Sequence, residues 1–353
     1  MVFHIFGPTR LEWVQVEVTT RCQARCRYCP RSVWRDRLIE GDLNPEILDR
    51  TLVRLPRGTL VHLQGWGEPL LYPGLAGLVR KVRDAGCVPT TTTNAVALDP
   101  DTALRLAEAG LEILGISMTG VDAEHNDRWR CGTEAVRILE TAESVANSLM
   151  RRGLPGPRLH AAYLLLRSGL SHLPGAVETL ASAGFAQIVV SSLDLVPRRE
   201  LVRETLWDLP ERTAEVFQET VRAADERARL AGVEIVLQLA TARRRGRCPE
   251  RPDRSAFIGF DGAVFPCVYT GVPLGRPAAH WLPDGRHELR RLPAGDLNRE
   301  TLDGVRRERV FRRMARSGRG PLHVTARCRR CAKPLVVRHG REGMEELLLP
   351  AAG

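Results

Sequence analysis

The sequence predicts an α/β fold, a partial (β/α)6 TIM-like barrel followed by a small, loop-rich C-terminal domain. Three observations carry this. From residue 11 to 240, short apolar runs alternate with amphipathic stretches, the pattern of βα units around a parallel sheet. After about residue 240 the texture changes to Arg- and Pro-rich loops with little apolar periodicity. That stretch still carries Cys248, Cys267, Cys328 and Cys331, so thiols rather than a large apolar core would hold it together. The expected division is a barrel over 11–240, a cysteine-held domain over 241–340 and a tail over 341–353.

Residues 11–19 (LEWVQVEVT) alternate strictly, with Val14, Val16 and Val18 on one face and Trp13, Gln15, Glu17 and Thr19 on the other. That is the period of a strand. A loop with Cys22, Cys26 and Cys29 leaves its C-terminal end, where βα barrels place catalytic loops. Residues 44–55 read as a helix with Pro45 in its first turn. Residues 59–65 form the second strand, running into Gly65-Trp66-Gly67-Glu68-Pro69. A helix over 73–85 ends at Gly86, and the third strand, 87–94, ends Thr91-Thr92-Thr93-Asn94. Helix 99–109 stops at Gly110, and strand 111–118 ends Ser117-Met118-Thr119-Gly120. The remaining units are helix 134–151, strand 158–166, helix 173–183, strand 186–193, helix 206–231 and a further strand over 233–239. Six such repeats make an open barrel, not a closed eight-stranded one.

Composition limits the function. The 52 basic and 42 acidic residues give a formal net charge of +10, but only Lys81 and Lys333 are lysines. The arginine clusters alternate with acids and lack interleaved aromatics, which argues against nucleic acid as the main partner. No run of eighteen apolar residues exists to span a membrane, and the N-terminus lacks the pattern of a secretory signal. The nine cysteines are odd in number and mostly in C-x-x-C-like clusters, which points to metal ligation in a reducing, cytoplasmic setting.

The stretch Cys22-Gln-Ala-Arg-Cys26-Arg-Tyr28-Cys29-Pro30 is spaced C-x3-C-x2-C. Three thiolates leave one position of a tetrahedral site open, which suits chemistry, whereas four close it. Soft thiolates select iron–sulfur or zinc. Taken alone, the residues also admit a half zinc site or cysteines that simply pack. The spacing, with an aromatic before the third cysteine, resembles the signature of radical S-adenosylmethionine (SAM) enzymes. The resemblance implies a [4Fe–4S] cluster on Cys22, Cys26 and Cys29 whose fourth iron chelates SAM, with Tyr28 near the adenine.

Further stretches resemble that family's motifs at successive strand ends. Gly67-Glu68-Pro69 is similar to the end of its Gly-Gly-Glu-Pro motif, although Trp66 stands where a glycine is expected. Thr93-Asn94 is similar to its Thr-Asn-Gly strand end. Ser117 and Thr119 fall in a stretch similar to Ile-Ser-Leu-Asp-Gly, which contacts the SAM ribose, with Thr119 in place of the aspartate. His125-Asn-Asp-Arg128-Trp-Arg130 resembles a His-Asp-Arg-x-Arg-Gly stretch, from which Arg128 or Arg130 would pair the SAM carboxylate.

Cys248 and Cys267 in a C-x13-G-x4-C spacing, with Cys328-x-x-Cys331, resemble the SPASM/Twitch extension of the same enzymes. The resemblance implies an auxiliary four-cysteine [4Fe–4S] cluster; a zinc ribbon has the same ligand inventory. Cys87 reads as core and Cys131 as a loop cysteine near the SAM site. Glu17, His62, Gln64, Tyr163, Arg167 and Asp194 are expected to face the lumen, with Asp194 as the substrate base.

The function implied is a radical SAM maturase. Reduced by a low-potential donor such as flavodoxin or ferredoxin, it would cleave SAM to methionine and a 5′-deoxyadenosyl radical. The radical would take hydrogen from a peptide, protein or cofactor precursor. Alternatives are dehydrogenation of a small-molecule alcohol or amino sugar, and, in another class, a zinc-stabilised basic nucleic-acid-binding protein.

Overall fold

Seven strands pair parallel in chain order: β1 (Trp13–Val16), β2 (Leu60–Leu63), β3 (Val88–Thr93), β4 (Ile113–Met118), β5 (Arg158–Leu165), β6 (Gln187–Ser192) and β7 (Glu234–Ala240). The computed structural model describes residues 10–207, 209–240, 248, 250–316 and 336–339. A single turn, α1 (Pro30–Val33), lies in the cysteine loop. The crossovers are α2 (Pro45–Leu52), α3 (Leu75–Asp84), α4 (Pro100–Ala109), α5 (Ala135–Arg151), α6 (Leu173–Ser182) and α7 (Glu211–Leu230).

Local chemistry fixes these helices. Asn44 caps α2 by accepting from Glu46 N at 3.1 Å, and Asp99 caps α4 from Thr102 N at 2.6 Å. Gly110 ends α4 at φ +99°, a backbone region that favours glycine. Each helix buries one apolar stripe; in α3 it is Leu75, Leu78, Val79 and Val82, each contributing about 1.5–3 kcal/mol. The last crossover starts later than the expected residue 206. Pro210 would break a helix running through it, and Leu206 and Trp207 instead pack into the apolar core.

The strand alternation sets two faces. Val14, Val16, Val61, Leu63, Leu114 and Ile116 point to the helices and are fully buried. Gln15, Gln64, Thr92, Ser117, Leu164 and Ser191 share the opposite face and line the lumen. Two expectations are corrected here. Tyr163 falls on the helix side of β5, fully buried in the main core, because the lumen phase of that strand is His160, Ala162 and Leu164. Arg167 lies beyond the strand and lines a separate surface groove.

The sheet extends past the six repeats. β8 (Ser255–Ile258) runs parallel against the free edge of β1, and β9 (Ala263–Phe265) turns back antiparallel to it. β12 (Gly295–Asp296) follows at that edge, while β13 (Val336–His339) pairs antiparallel with β7. Among the described residues, the sheet has 11 strands and its two ends do not pair, so the barrel stays open. A separate hairpin of β10 (Ala278–Leu282) and β11 (Gly285–Leu289) precedes two short helices, α8 (Leu302–Arg307) and α9 (Arg309–Ala315). No helix among the described residues is long and apolar enough to cross a membrane.

Candidate functional site

The cysteine loop leaves β1 and is pinned from two sides. Thr20 N donates to Gly41 O at 3.0 Å, while Arg25 N and Arg27 N donate to the carbonyls of Cys131 and Trp129 at 2.7 and 2.9 Å. Cys22, Cys26 and Cys29 then line one cavity of about 390 Å³ at the C-terminal ends of the strands. Burial raises the pKa of all three thiols, and the Cys29 thiol is pushed up to about 12 by burial and then by Cys26. The protein alone holds these thiols protonated, so binding of a metal cluster would release their protons. Among the described residues, no three His, Cys, Asp or Glu side chains converge as the ligand set of one metal ion. Thiols spread around a shared cavity suit a cluster in which each binds its own iron.

The 65–69 loop closes the cavity from the β2 side. Glu68 is buried and fully engaged: it accepts from Thr93 Oγ1 at 2.6 Å, Asn94 N at 2.7 Å and Leu70 N at 3.1 Å. Its own N–H donates to Arg21 O at 2.7 Å, which ties this loop to the cysteine loop. Burial pushes the Glu68 carboxyl up, and those hydrogen bonds work against it. A Cβ at Gly67 would stand 2.3 Å from Thr19 O and 2.6 Å from Arg21 O, so only glycine fits without moving backbone. Gly67→Ala should therefore weaken SAM binding by about tenfold or more, read by equilibrium dialysis on reconstituted protein. Unchanged affinity would remove Gly67 from the site.

Neighbouring strand ends supply the polar wall. Asn94 Nδ2 donates to Cys22 Sγ at 3.5 Å and lies against Gln23, while Ser117 lines the cavity from β4. Tyr28 Oη receives Arg130 Nη1 and pairs with Thr119 Oγ1, both at 3.0 Å. Thr119 N donates to Asn126 Oδ1 at 3.1 Å, so the threonine that stands for an aspartate is tied into the wall. Burial pushes the Tyr28 phenol up to about 12. Burial works against the Arg130 charge, but the pull of Tyr28 and Cys26 outweighs it and raises the pKa, and among the described residues its Nε has no hydrogen-bond partner.

The cavity gathers Cys22, Cys26, Tyr28, Cys29, Gly67, Glu68, Asn94, Ser117, Arg130 and Asp194. Pro69, Thr93 and Thr119 lie behind this wall rather than in it. Arg128 is exposed and does not line the cavity, so of the two arginines only Arg130 reaches it. Below, His62 bonds Thr90 Oγ1 and Gln64 Oε1 at 2.8 and 3.0 Å, and burial lowers its pKa to about 4, which leaves it neutral near pH 7.

Glu17 lies just past the end of β1, fully buried, and does not line the cavity. It accepts from Trp66 N at 2.9 Å and packs so closely on Gly65 that a Cβ there would meet its Cγ at 2.2 Å. It thus supports the 65–69 loop, contrary to the expectation that it faces the lumen.

Sequence reasoning missed Val268 and Tyr269, which reach the cavity from the turn after Cys267. The Tyr269 hydroxyl donates to Asp194 Oδ1. The only local signal was proximity to Cys267. Cys248 and Cys267 are half-buried and lie outside the cavity; Cys328 and Cys331 fall outside the described residues. Cys87 is core, and Cys131 Sγ contacts Arg128 O at 3.5 Å.

Comparison with known proteins agrees with this arrangement. Residues 16–156 match the Radical SAM superfamily, and residues 248–332 match an iron–sulfur cluster-binding domain, SPASM. The chain is 25% identical over 266 residues to the tungsten-containing aldehyde ferredoxin oxidoreductase cofactor-modifying protein of Pyrococcus furiosus, covering 73% of this chain and 71% of that one. It is 29% identical over 264 residues to the PqqA peptide cyclase of Rhodopseudomonas palustris, covering 72% of this chain and 66% of that one. The match to the GTP 3′,8-cyclase of Chlorobaculum tepidum, 32% identical, spans about half of each: 46% of this chain and 52% of that one. Among solved structures, Streptococcus suis SuiB bound to S-adenosylmethionine is similar in fold, with a TM-score of 0.61 at 14% identity over 92% of this chain and 72% of that one. So is anSMEcpe with bound AdoMet and the Cp18Cys peptide, with a TM-score of 0.58 at 15% identity over 90% and 85%. The radical SAM match implies a [4Fe–4S] cluster and SAM as cofactors, which the open three-thiol cavity accommodates, and the SPASM match implies auxiliary iron–sulfur. Residues 16–156 are thus a radical SAM domain, and residues 248–332 are an iron–sulfur cluster-binding SPASM domain.

Proposed function

We propose that this chain is a maturase that uses radical chemistry to abstract hydrogen from a peptide, protein or cofactor precursor. The supporting observation is the gathering of Cys22, Cys26 and Cys29 with Gly67, Asn94, Ser117 and Arg130 around one cavity. The peptide and cofactor-modifying relatives favour that substrate class. When bound, the cluster and SAM supply reductive cleavage to methionine and a 5′-deoxyadenosyl radical; the protein supplies orientation and a dry site.

Cys22, Cys26 and Cys29 would hold the [4Fe–4S] cluster at this cavity. The Gly67 backbone lets the cosubstrate approach closely, with Glu68, Pro69 and Thr93 fixing that backbone from behind. Arg130, oriented by Tyr28 and Thr119, pairs the SAM carboxylate, while Asn94 and Ser117 offer polar contacts to its remaining groups. Asp194, oriented by Tyr269, would hold a substrate proton at its carboxylate. Arg128 has no part in this reading.

Cys248, Cys267, Cys328 and Cys331 would hold an auxiliary cluster in a domain over 241–340, the barrel occupying 11–240. Low-potential electrons would come from a flavodoxin or ferredoxin in a reducing cytoplasm.

The test is anaerobic. Reconstituted protein with dithionite and SAM should be brown and should form 5′-deoxyadenosine and methionine in equal amounts. Colourless protein carrying zinc and leaving SAM intact would overturn the reading. Deuterium transfer from labelled candidate peptides into 5′-deoxyadenosine would identify the substrate.

A further inference from the structure

A second concavity, of about 590 Å³, opens beside the loops that follow β5 and β6. Arg167 and Ser168 reach it from the turn Arg167–His172, Arg203 from the turn Arg199–Glu204, and Arg212 and Thr213 from the first turn of α7. Among the described residues its one lining carboxylate is Glu204, which is buried and already engaged: Oε2 accepts from Ser168 N at 3.0 Å and Oε1 lies 4.0 Å from Arg203 Nε. Among the described residues, Arg167 and Arg212 pair with no carboxylate. Among the described residues, guanidinium groups from three separate elements thus line one hollow with a single lining carboxylate, which favours an anionic occupant.

Position narrows the occupant. Leu193 and Tyr28 line the cysteine cavity, and both belong to an apolar cluster with Leu166, Leu201, Trp129 and Trp207. Leu166 precedes Arg167, and Leu201 lies in the same turn as Arg203. One apolar cluster thus joins residues that line the cavity to chain neighbours of residues that line the groove, and both hollows lie on the strand C-terminal side. A peptide with one residue in the cavity would carry its neighbouring side chains along the same side of the sheet as the groove.

We infer that the groove docks an acidic segment of the peptide substrate, flanking the residue that enters the cysteine cavity. This rests on the peptide reading above. Arg forks pair carboxylates bidentately, and Ser168, Ser171 and Thr213 add hydroxyl donors.

Fluorescence anisotropy of fluorescein-labelled hexaglutamate on the reconstituted full chain tests it. Binding should weaken with added salt, and about tenfold in the Arg167→Glu/Arg212→Glu double variant. Arg212 is exposed, so Arg212→Glu alone should fold normally and weaken binding several-fold. Arg105→Glu, on the outer face of α4, should leave it unchanged. No binding to wild type, equal loss in Arg105→Glu, or displacement by inorganic phosphate as effectively as by unlabelled peptide would overturn the proposal. So would intact peptide binding with slowed flavodoxin-driven SAM cleavage, which would make the groove a redox-partner site. Dithionite-driven SAM cleavage in the same samples reads the radical chemistry separately and should survive the charge reversals. Its absence from wild type would sink that chemistry, whatever the groove binds.

Discussion

Replacing Cys22, Cys26 and Cys29 together by alanine should return SAM cleavage to its uncatalysed rate, a loss of at least about 10⁶-fold. Protein-bound iron should fall from about eight to about four per chain, because only the auxiliary cluster would remain. The size of the effect follows from the site. No other described residues around the cavity offer a replacement set of thiolates, and Asn94 can only donate to Cys22 sulfur, not substitute for it. The fold should survive, since the cysteine loop is held through backbone bonds to Gly41, Trp129 and Cys131 that alanine retains. Far-UV circular dichroism and 5′-deoxyadenosine analysis on one preparation separate loss of chemistry from loss of structure. Equal iron in wild type and variant would show that these cysteines hold no cluster.

The second large effect lies at Glu17. Burial raises its carboxyl pKa from 4.5 to about 8, against the pull of the Trp66 and Phe260 backbone N–H groups and the Arg291 charge. In the unfolded chain the same group releases its proton near 4.5. Between those values the folded protein binds the extra proton, so stability falls as pH rises from 4.5 to about 8 and the loss levels off above. At about 1.4 kcal/mol per pH unit, the decline attributable to Glu17 is on the order of 4 kcal/mol between pH 5 and pH 8. Glu17→Gln should remove that slope. Any offset from an amide facing the Phe260 N–H would be independent of pH, so the difference in slope carries the test. Paired thermal melts of wild type and variant at several pH values measure it. Parallel curves would mean that Glu17 is ionised in the fold.

The sequence was most legible where chemistry is local. The alternation of residues 11–19 was read in the right phase, and Val14, Val16 and Val18 are fully buried. The strand-end motifs read along the chain also meet in space, since a parallel barrel brings every strand terminus to one rim. Tyr163 was misread because both faces of residues 158–166 are rich in apolar side chains, leaving the period of two without a phase. Glu17 shares the phase of Gln15, but the 65–69 loop packs over it, a long-range contact that the alternation does not show. Long-range pairings were out of reach: Tyr28 with Arg130, Asp194 with Tyr269, and β8 against β1 join residues that no local pattern connects.

The central claim is that the Cys22–Cys26–Cys29 cluster keeps one coordination position open for SAM. Electron paramagnetic resonance of the dithionite-reduced Cys248→Ala/Cys267→Ala variant addresses it most directly, since removing two auxiliary thiolates leaves the first cluster as the main signal. Addition of SAM should change its g-values, and nitrogen hyperfine coupling from ¹⁵N-labelled SAM should show the amino group at iron. A reduced-cluster spectrum unchanged by saturating SAM would contradict the account.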